Sequence, residues 1–255
     1  MCKVYFIGAG PGDPELITIK GKSIIDAADI IIYAGSLVNE NVLCGRKADC
    51  RVFNSAGMTL EEVTKIMLDE KENDTIIARV HTGDPSIYGA IKEQIDFLKN
   101  DNIFYEVIPG VSSFTAAAAS LGIEYTLPGI SQTVILTRME GRTSVPEKEK
   151  LSLLASHKAS MAIFLSVGMI EEVVNELLTH YDKETPAAVV YKASWSDEKK
   201  ISGTLGNIAD RVKEANIGKH TLILVGDFLD SHYDKSKLYD KTFSHGYRSS
   251  ECHGE

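Results

Sequence analysis

The chain has 255 residues, 44% of them apolar and 25% charged, and its 36 acidic and 27 basic side chains give a formal charge of −9. That balance excludes a nucleic-acid binder working through a broad basic face, and any acidic substrate must be met by a local cluster of cations. No run approaches the ~20 apolar residues of a membrane helix, and the N-terminus lacks a secretory pattern, so a cytoplasmic protein with one large or two small domains is expected.

Strand-like and helix-like segments alternate along nearly the whole sequence, which predicts an α/β fold. Residues 4–7 are a short apolar run ending in glycine, as in a buried strand; a helical stretch then ends near Ala28, before the strand IIIY at 30–33. In LEEVTKIMLDE, Leu60, Val63, Ile66 and Met67 share one helical face. TIIARV at 75–80 is a second buried strand, and Ile91, Ile95 and Leu98 mark another amphipathic helix. FYEVIPG is a strand that stops at Pro109 and Gly110, ahead of a small-residue helix at 112–122. A connector with a turn at Pro128 and Gly129 follows. Alternation then restarts, with strands in TVILTR, MAIFLSV, AAVVYKAS, KKISGTL and HTLILVG and helices in IEEVVNELLTHY and through Val212. The expected organisation is an N-terminal α/β domain at 1–121, a linker at 122–131, a C-terminal α/β domain at 132–230 and a tail at 231–255. The last residues of that tail are expected to fray, while Tyr239 and Phe243 can dock.

Cys2, Cys44, Cys50 and Cys252 form no CxxC pair and have no histidine at ligand spacing, so free thiols and no metal site are expected. The loop GAGPGDPELIT opens like a dinucleotide fingerprint at Gly8 and Gly10, but its third glycine position is Asp13. Pro11 also removes a backbone N–H that a pyrophosphate cradle needs. As a pyrophosphate site the loop fails, and on its own it reads as a tight strand-to-helix turn. The strand at 75–80 ends similarly in Thr82-Gly83-Asp84-Pro85, with a helix expected from Ser86 or Ile87. After Pro109 and Gly110, Ser112 and Ser113 can cap the next helix. All three loops lie at strand C-terminal ends, where open α/β sheets place ligands. An NAD-dependent oxidoreductase needs an acid closing the second strand, and IIIYAGS has none. A non-catalytic nucleotide-binding module is the other alternative of a different class.

The blocks GAGPGDPELIT, ADIIIYAGSLV, RVHTGDPSIYGAI, VIPGVSSFTAAAA, TVILTRMEGRT and VVYKASWSDEK stand in an order and spacing that closely resemble the tetrapyrrole methylases, from about residue 3 to about residue 230. The tail segment SKLYDKTFSHGYR extends the likeness. Thr82-Gly83-Asp84 replaces the Gly-Gly-Asp of uroporphyrinogen-type members, and YAGSLV resembles the branch that methylates C-11 of precorrin-4 or cobalt-precorrin-4 in cobalamin synthesis, the cobalt form being favoured. The resemblance implies two α/β domains with a cofactor cleft between them, S-adenosylmethionine as methyl donor, a homodimer, and a fold distinct from Rossmann-type methyltransferases. It implies cofactor contacts at Pro11, Thr82, Gly83, Asp84, Ile87, Ser112, Ser113, Leu165 and Ala193. Methyl transfer from a sulfonium asks for alignment and exclusion of water rather than a nucleophilic triad, and no such triad stands out. Asp84 can pair with positive groups of the cofactor, while Asp13 shapes its turn. A carboxylate-rich ring needs cations, for which Arg79, Arg138, Arg142 and Lys192 are candidates; the alternative is solvated surface cations. His81 reads as a proton acceptor or substrate contact, or else as a hydrogen-bonded loop histidine. Trp195 reads either as a pocket lid or as core.

Overall fold

The structure, a computed structural model, describes residues 1–230, 233–236, 238 and 240–249; Tyr239 and Cys252 lie outside the described residues. The chain divides into two compact units, the first made of Met1–Leu121 together with Val190–Lys199. The second comprises Gly122–Val189 and the described residues from Lys200 onward. Consecutive blocks of sequence therefore do not capture the division, because ten residues of the expected C-terminal domain pack into the first unit.

In the first unit, β1 (Lys3–Gly8), β2 (Ile30–Tyr33), β3 (Arg51–Asn54), β4 (Ile76–His81) and β5 (Phe104–Ile108) form one sheet in the order β3-β2-β4-β1-β5. Every pairing in it is parallel. Such a sheet is covered on both faces, which is why β2 is apolar and buried at all four positions. The two-residue period sends Ile31, Ala78 and Val80 toward Ile25 of α1 (Ile19–Ala27). Phe6, Ile30, Ile32 and Ile77 meet Val63 and Met67 of α2 (Leu60–Asp69) and Leu98 of α3 (Ile91–Asn100). A capping box starts α2: Glu62 N–H donates to Thr59 Oγ1 at 3.3 Å, and Thr59 N–H donates to the Glu62 carboxylate at 2.8 Å. The edge strand β3 is missing from the sequence reading because RVFN is short, largely exposed and carries no apolar run.

Parallel strands end on one side, so the loops after β1, β4 and β5 share a sheet edge. Registers Gly8 to His81 and Ile7 to Ile108 bring these three strand ends level. The third loop leads into α4 (Ser113–Leu121). A helix expected from Ser86 or Ile87 instead begins at Ile91. The intervening backbone is left-handed at Tyr88 and Ala90, and a Cβ on Gly89 would fall 2.1 Å from the Pro85 carbonyl oxygen, so the chain here is a wound turn.

A second sheet, of β6 (Val134–Arg138), β7 (Ser160–Phe164), β8 (Pro186–Tyr191), β9 (Lys199–Thr204) and β10 (Thr221–Val225), has most of its residues in the second unit and the order β6-β7-β10-β8-β9. β6 runs parallel to β7 while β10 runs antiparallel to it, giving a mixed sheet. Met161, Ile163, Val189 and Ile223 of this sheet pack with Val173 and Leu177 of α6 (Ile170–Leu177) and with Val212 of α7 (Ile208–Glu214). The short α5 (Leu151–Ala155) has too few turns to leave a periodic trace in sequence. Among the described residues no helix is long and apolar enough to cross a membrane.

Candidate functional site

Three glycines of the first unit meet backbone to backbone at the shared sheet edge. A Cβ on Gly8 would lie 2.6 Å from both Gly110 Cα and the Gly83 oxygen, and one on Gly110 would lie 2.1 Å from that oxygen. No other residue type permits this approach. Gly10 and Gly83 form an isolated antiparallel bridge, with Gly83 N–H donating to the Gly10 carbonyl at 2.8 Å and Gly10 N–H to the Gly83 carbonyl at 3.3 Å. Both are left-handed, at φ 79° and 60°. The first and second loops are thus stitched to each other directly.

The two Gly-Asp-Pro sequences use their aspartates alike. Asp13 Oδ1 accepts from Glu15 N–H at 2.9 Å, and Asp84 Oδ1 accepts from Ser86 N–H at 2.8 Å, each folding its own turn. Asp84 Oδ2 also accepts from Gly110 N–H at 2.9 Å, tying the second loop to the third. Burial pushes the Asp84 carboxyl up, but the hydrogen bonds from the Ser86 side chain, Gly110 and the Ser86 backbone outweigh it and hold the group below the usual carboxylate range. Both oxygens being engaged by the protein, Asp84 acts here as an anionic brace.

Thr82, Gly83, Ile87, Ser112 and Ser113 accompany it along this edge. Among the described residues the hydroxyls of Thr82, Ser112 and Ser113 make no hydrogen bond, which leaves three polar groups there for a ligand. Pro11 is buried, and Ala193, 5% exposed, belongs to the segment that returns to the first unit.

Two of the expected site residues have interior surroundings. Arg79 lies inside the layer between β4 and α3, donating from Nε to Gln94 Oε1 at 3.0 Å and from Nη1 to the Ile32 carbonyl at 3.2 Å and Ser55 Oγ at 3.1 Å. These bonds make it an interior strut between strand and helix. His81, on the same face, is 5% exposed and its Nε2 is buried without a hydrogen-bond partner. Burial, and secondarily the charge of Arg79, push its pKa down to about 3. A group so weakly basic is a neutral imidazole near pH 7 and a poor general base.

Lys192 is likewise occupied. Its ammonium pairs with Asp197 at 2.6 Å and stands over the Tyr191 and Trp195 rings at 5.5 and 5.2 Å, and the Asp197 contact raises its pKa. In the second unit, Arg138 donates to the carbonyls of Met139, Thr143 and Ser144 at 3.3, 3.1 and 2.7 Å, wrapping its own loop. Arg142 stands exposed on that loop and makes no ion pair among the described residues. Leu165 is left-handed at φ 55° and 70% exposed, an unusual state for a leucine.

A family profile described as tetrapyrrole (corrin/porphyrin) methylases matches residues 3–209. The chain belongs to this family. The methylase is 59% identical over 250 residues to a protein of Methanocaldococcus jannaschii named cobalt-precorrin-4 C(11)-methyltransferase, with 97% of this chain and 96% of the relative covered. It is 48% identical to a protein of that name from Priestia megaterium, covering 96% and 97%. A crystal structure of a cobalt precorrin-4 methyltransferase superposes with TM-score 0.87 at 46% identity, covering 90% of this chain and 96% of the other. A uroporphyrin-III C-methyltransferase from Thermus thermophilus, solved in complex with S-adenosylhomocysteine, shares the fold at TM-score 0.74 and 24% identity, over 89% and 93% of the two chains.

Side chains distant in sequence fix the first loop of the methylase. Trp195 Nε1 donates to the Pro11 carbonyl at 2.9 Å, Asn39 Nδ2 to the Gly12 carbonyl at 2.9 Å, and Asp13 N–H to Ser194 Oγ at 2.9 Å.

The glycine contact predicts that Gly110→Ala destabilises the fold by about 1–3 kcal/mol through overpacking, read by urea denaturation. Gly57→Ala, where a Cβ meets nothing within 4 Å, is the control and is expected to stay near wild type. His81 generates a pH prediction. Its folded pKa lies below the ordinary 6.5, so the unfolded chain takes up a proton between pH 6.5 and about 3 that the folded chain refuses. Its contribution to stability is therefore complete above pH 6.5 and declines on acidification toward 3. Equilibrium unfolding across that window is expected to show a shallower acid slope in His81→Gln than in wild type, by at most ~1.4 kcal/mol per pH unit.

Proposed function

We propose that the protein transfers a methyl group from S-adenosylmethionine to C-11 of cobalt-precorrin-4, giving cobalt-precorrin-5 and S-adenosylhomocysteine. The observation that carries this reading is 59% identity, over nearly the full length of both chains, to the M. jannaschii protein of that name. The donor set fits the cofactor. A glycine edge with open hydroxyls at Thr82, Ser112 and Ser113 offers close backbone approach and neutral donors and acceptors, suited to a ligand bearing both a cation and a carboxylate. The same fold holds S-adenosylhomocysteine in the T. thermophilus protein.

When bound, the cofactor supplies an already activated methyl on a sulfonium. The protein's share is to bind, orient and exclude water. Thr82, Gly83, Ser112 and Ser113 would hold the cofactor, with Pro11, Ile87 and Ala193 as its apolar surround. Asp84 serves by holding Gly110 in place and by leaving a fixed negative charge near the donor. Arg142 would grip a carboxylate of the ring, and Arg138 shapes the loop that displays it.

The assay incubates the protein with methyl-labelled S-adenosylmethionine and, separately, cobalt-precorrin-4 and metal-free precorrin-4, then maps the labelled carbon by NMR. Label at C-11 with preference for the cobalt form is expected; label at another carbon, or none, would reject the reading. S-adenosylhomocysteine at a hundredfold its Kd should raise thermal stability by about 2.7 kcal/mol, whereas NAD should not. Arg142→Ala should raise the KM for the tetrapyrrole severalfold and leave the cofactor KM unchanged, as steady-state kinetics with each substrate varied in turn will test.

A further inference from the structure

We infer that Trp195 is the positioning residue of the first glycine loop, setting the conformation of Pro11, Gly12 and Asp13 in which Pro11 meets the cofactor; this rests on the S-adenosylmethionine reading above. Pro11 and Gly12 would otherwise form a loose hinge, because glycine leaves the backbone free and proline donates no hydrogen bond. Instead three successive residues are each held by a side chain remote in sequence. Trp195 Nε1 takes the Pro11 carbonyl, Asn39 the Gly12 carbonyl, and Ser194 Oγ the Asp13 N–H. The indole also lies flat on Gly12: a Cβ there would fall 2.0 Å from Trp195 Cδ1 and 2.1 Å from Nε1.

The clasp that carries Trp195 is itself braced. Ser194 N–H donates to Glu198 Oε2 at 2.7 Å, and Ser120 Oγ of α4 donates to Glu198 Oε1 at 2.5 Å. Lys192 covers the indole face and is steadied by Asp197. Lys192 and Ser194 are both left-handed, at φ 49° and 70°. Such backbone persists in non-glycine residues only where the surroundings over-determine it. All of these groups lie in the first unit. Tryptophan combines a ring that covers Gly12 with an edge donor that reaches Pro11. The effect on the cofactor is preorganisation: the loop is ordered before binding and need not be ordered by it.

Trp195→Phe keeps the ring and removes the donor. It is expected to raise the S-adenosylhomocysteine Kd and the S-adenosylmethionine KM about fivefold, the contribution of one hydrogen bond. The kcat at saturating cofactor and the tetrapyrrole KM should stay within about twofold, a split that mere loss of folded protein would not give. Gly12→Ala should weaken S-adenosylhomocysteine binding more than Trp195→Phe in the wild-type background, yet add little in Trp195→Ala, where the indole is gone. Trp195 is the only tryptophan in the chain, so its emission in the unaltered protein should change saturably with S-adenosylhomocysteine, at the calorimetric Kd. Wild-type affinity in Trp195→Phe, or additive effects in the double variant, would overturn this inference and leave the cofactor reading intact. Absence of calorimetric binding to the wild type would overturn both. If circular dichroism shows the Gly12 or Trp195→Ala variants unfolded, the emission titration decides, and emission blind to bound S-adenosylhomocysteine overturns the positioning role.

Discussion

The candidate site depends on how closely three strand ends can approach one another. Gly8, Gly83 and Gly110 come together with no side-chain atoms between them, and Asp84 closes the cluster by accepting the Gly110 N–H. Parallel pairing places these ends on one edge, but only the missing Cβ atoms let the loops beyond them share hydrogen bonds. With the backbones in contact, Thr82 just before Gly83 and Ser112 and Ser113 just after Gly110 stand beside the cluster. The remaining features of the edge are arranged around that contact.

Beneath the edge the layer between sheet and helices is unexpectedly polar. Arg79 is buried and satisfied by Gln94, Ser55 and a strand carbonyl, with no carboxylate pairing with it among the described residues. Burial alone draws its pKa down to about 10, which leaves it charged at neutral pH. That fixed cation helps to keep neighbouring His81 neutral. Neutral dipoles hold a buried guanidinium without the cost of desolvating a second ion. The buried cation beside the glycine loops therefore maintains the fold.

A similar economy governs the aspartates. In both Gly-Asp-Pro sequences the carboxylate folds the turn, but only Asp84 reaches a third loop, because β5 ends beside β1 and Gly110 presents its N–H there. Chemically identical motifs thus acquire different duties from their neighbours.

Much of this was legible in the residues. The alternation of strand and helix, the faces that bury Val63, Met67 and Leu98, and the three loops at strand ends all follow from local period and turn chemistry, which nearby residues settle among themselves. So did the family likeness, carried by ordered blocks. The partners of individual polar side chains were not legible. Asp84 meets Gly110 across 26 positions and Trp195 meets Pro11 across 184, pairings that exist only once the sheet has closed. For the same reason the interior partners of Arg79, on Gln94, Ile32 and Ser55, leave no local trace in the sequence. Sequence alone determined the α/β class, the loop positions and the family. Tertiary structure decided which glycines touch, which charges are already spent and what holds the first loop, because hydrogen bonds between remote residues depend on a three-dimensional register that no local pattern encodes.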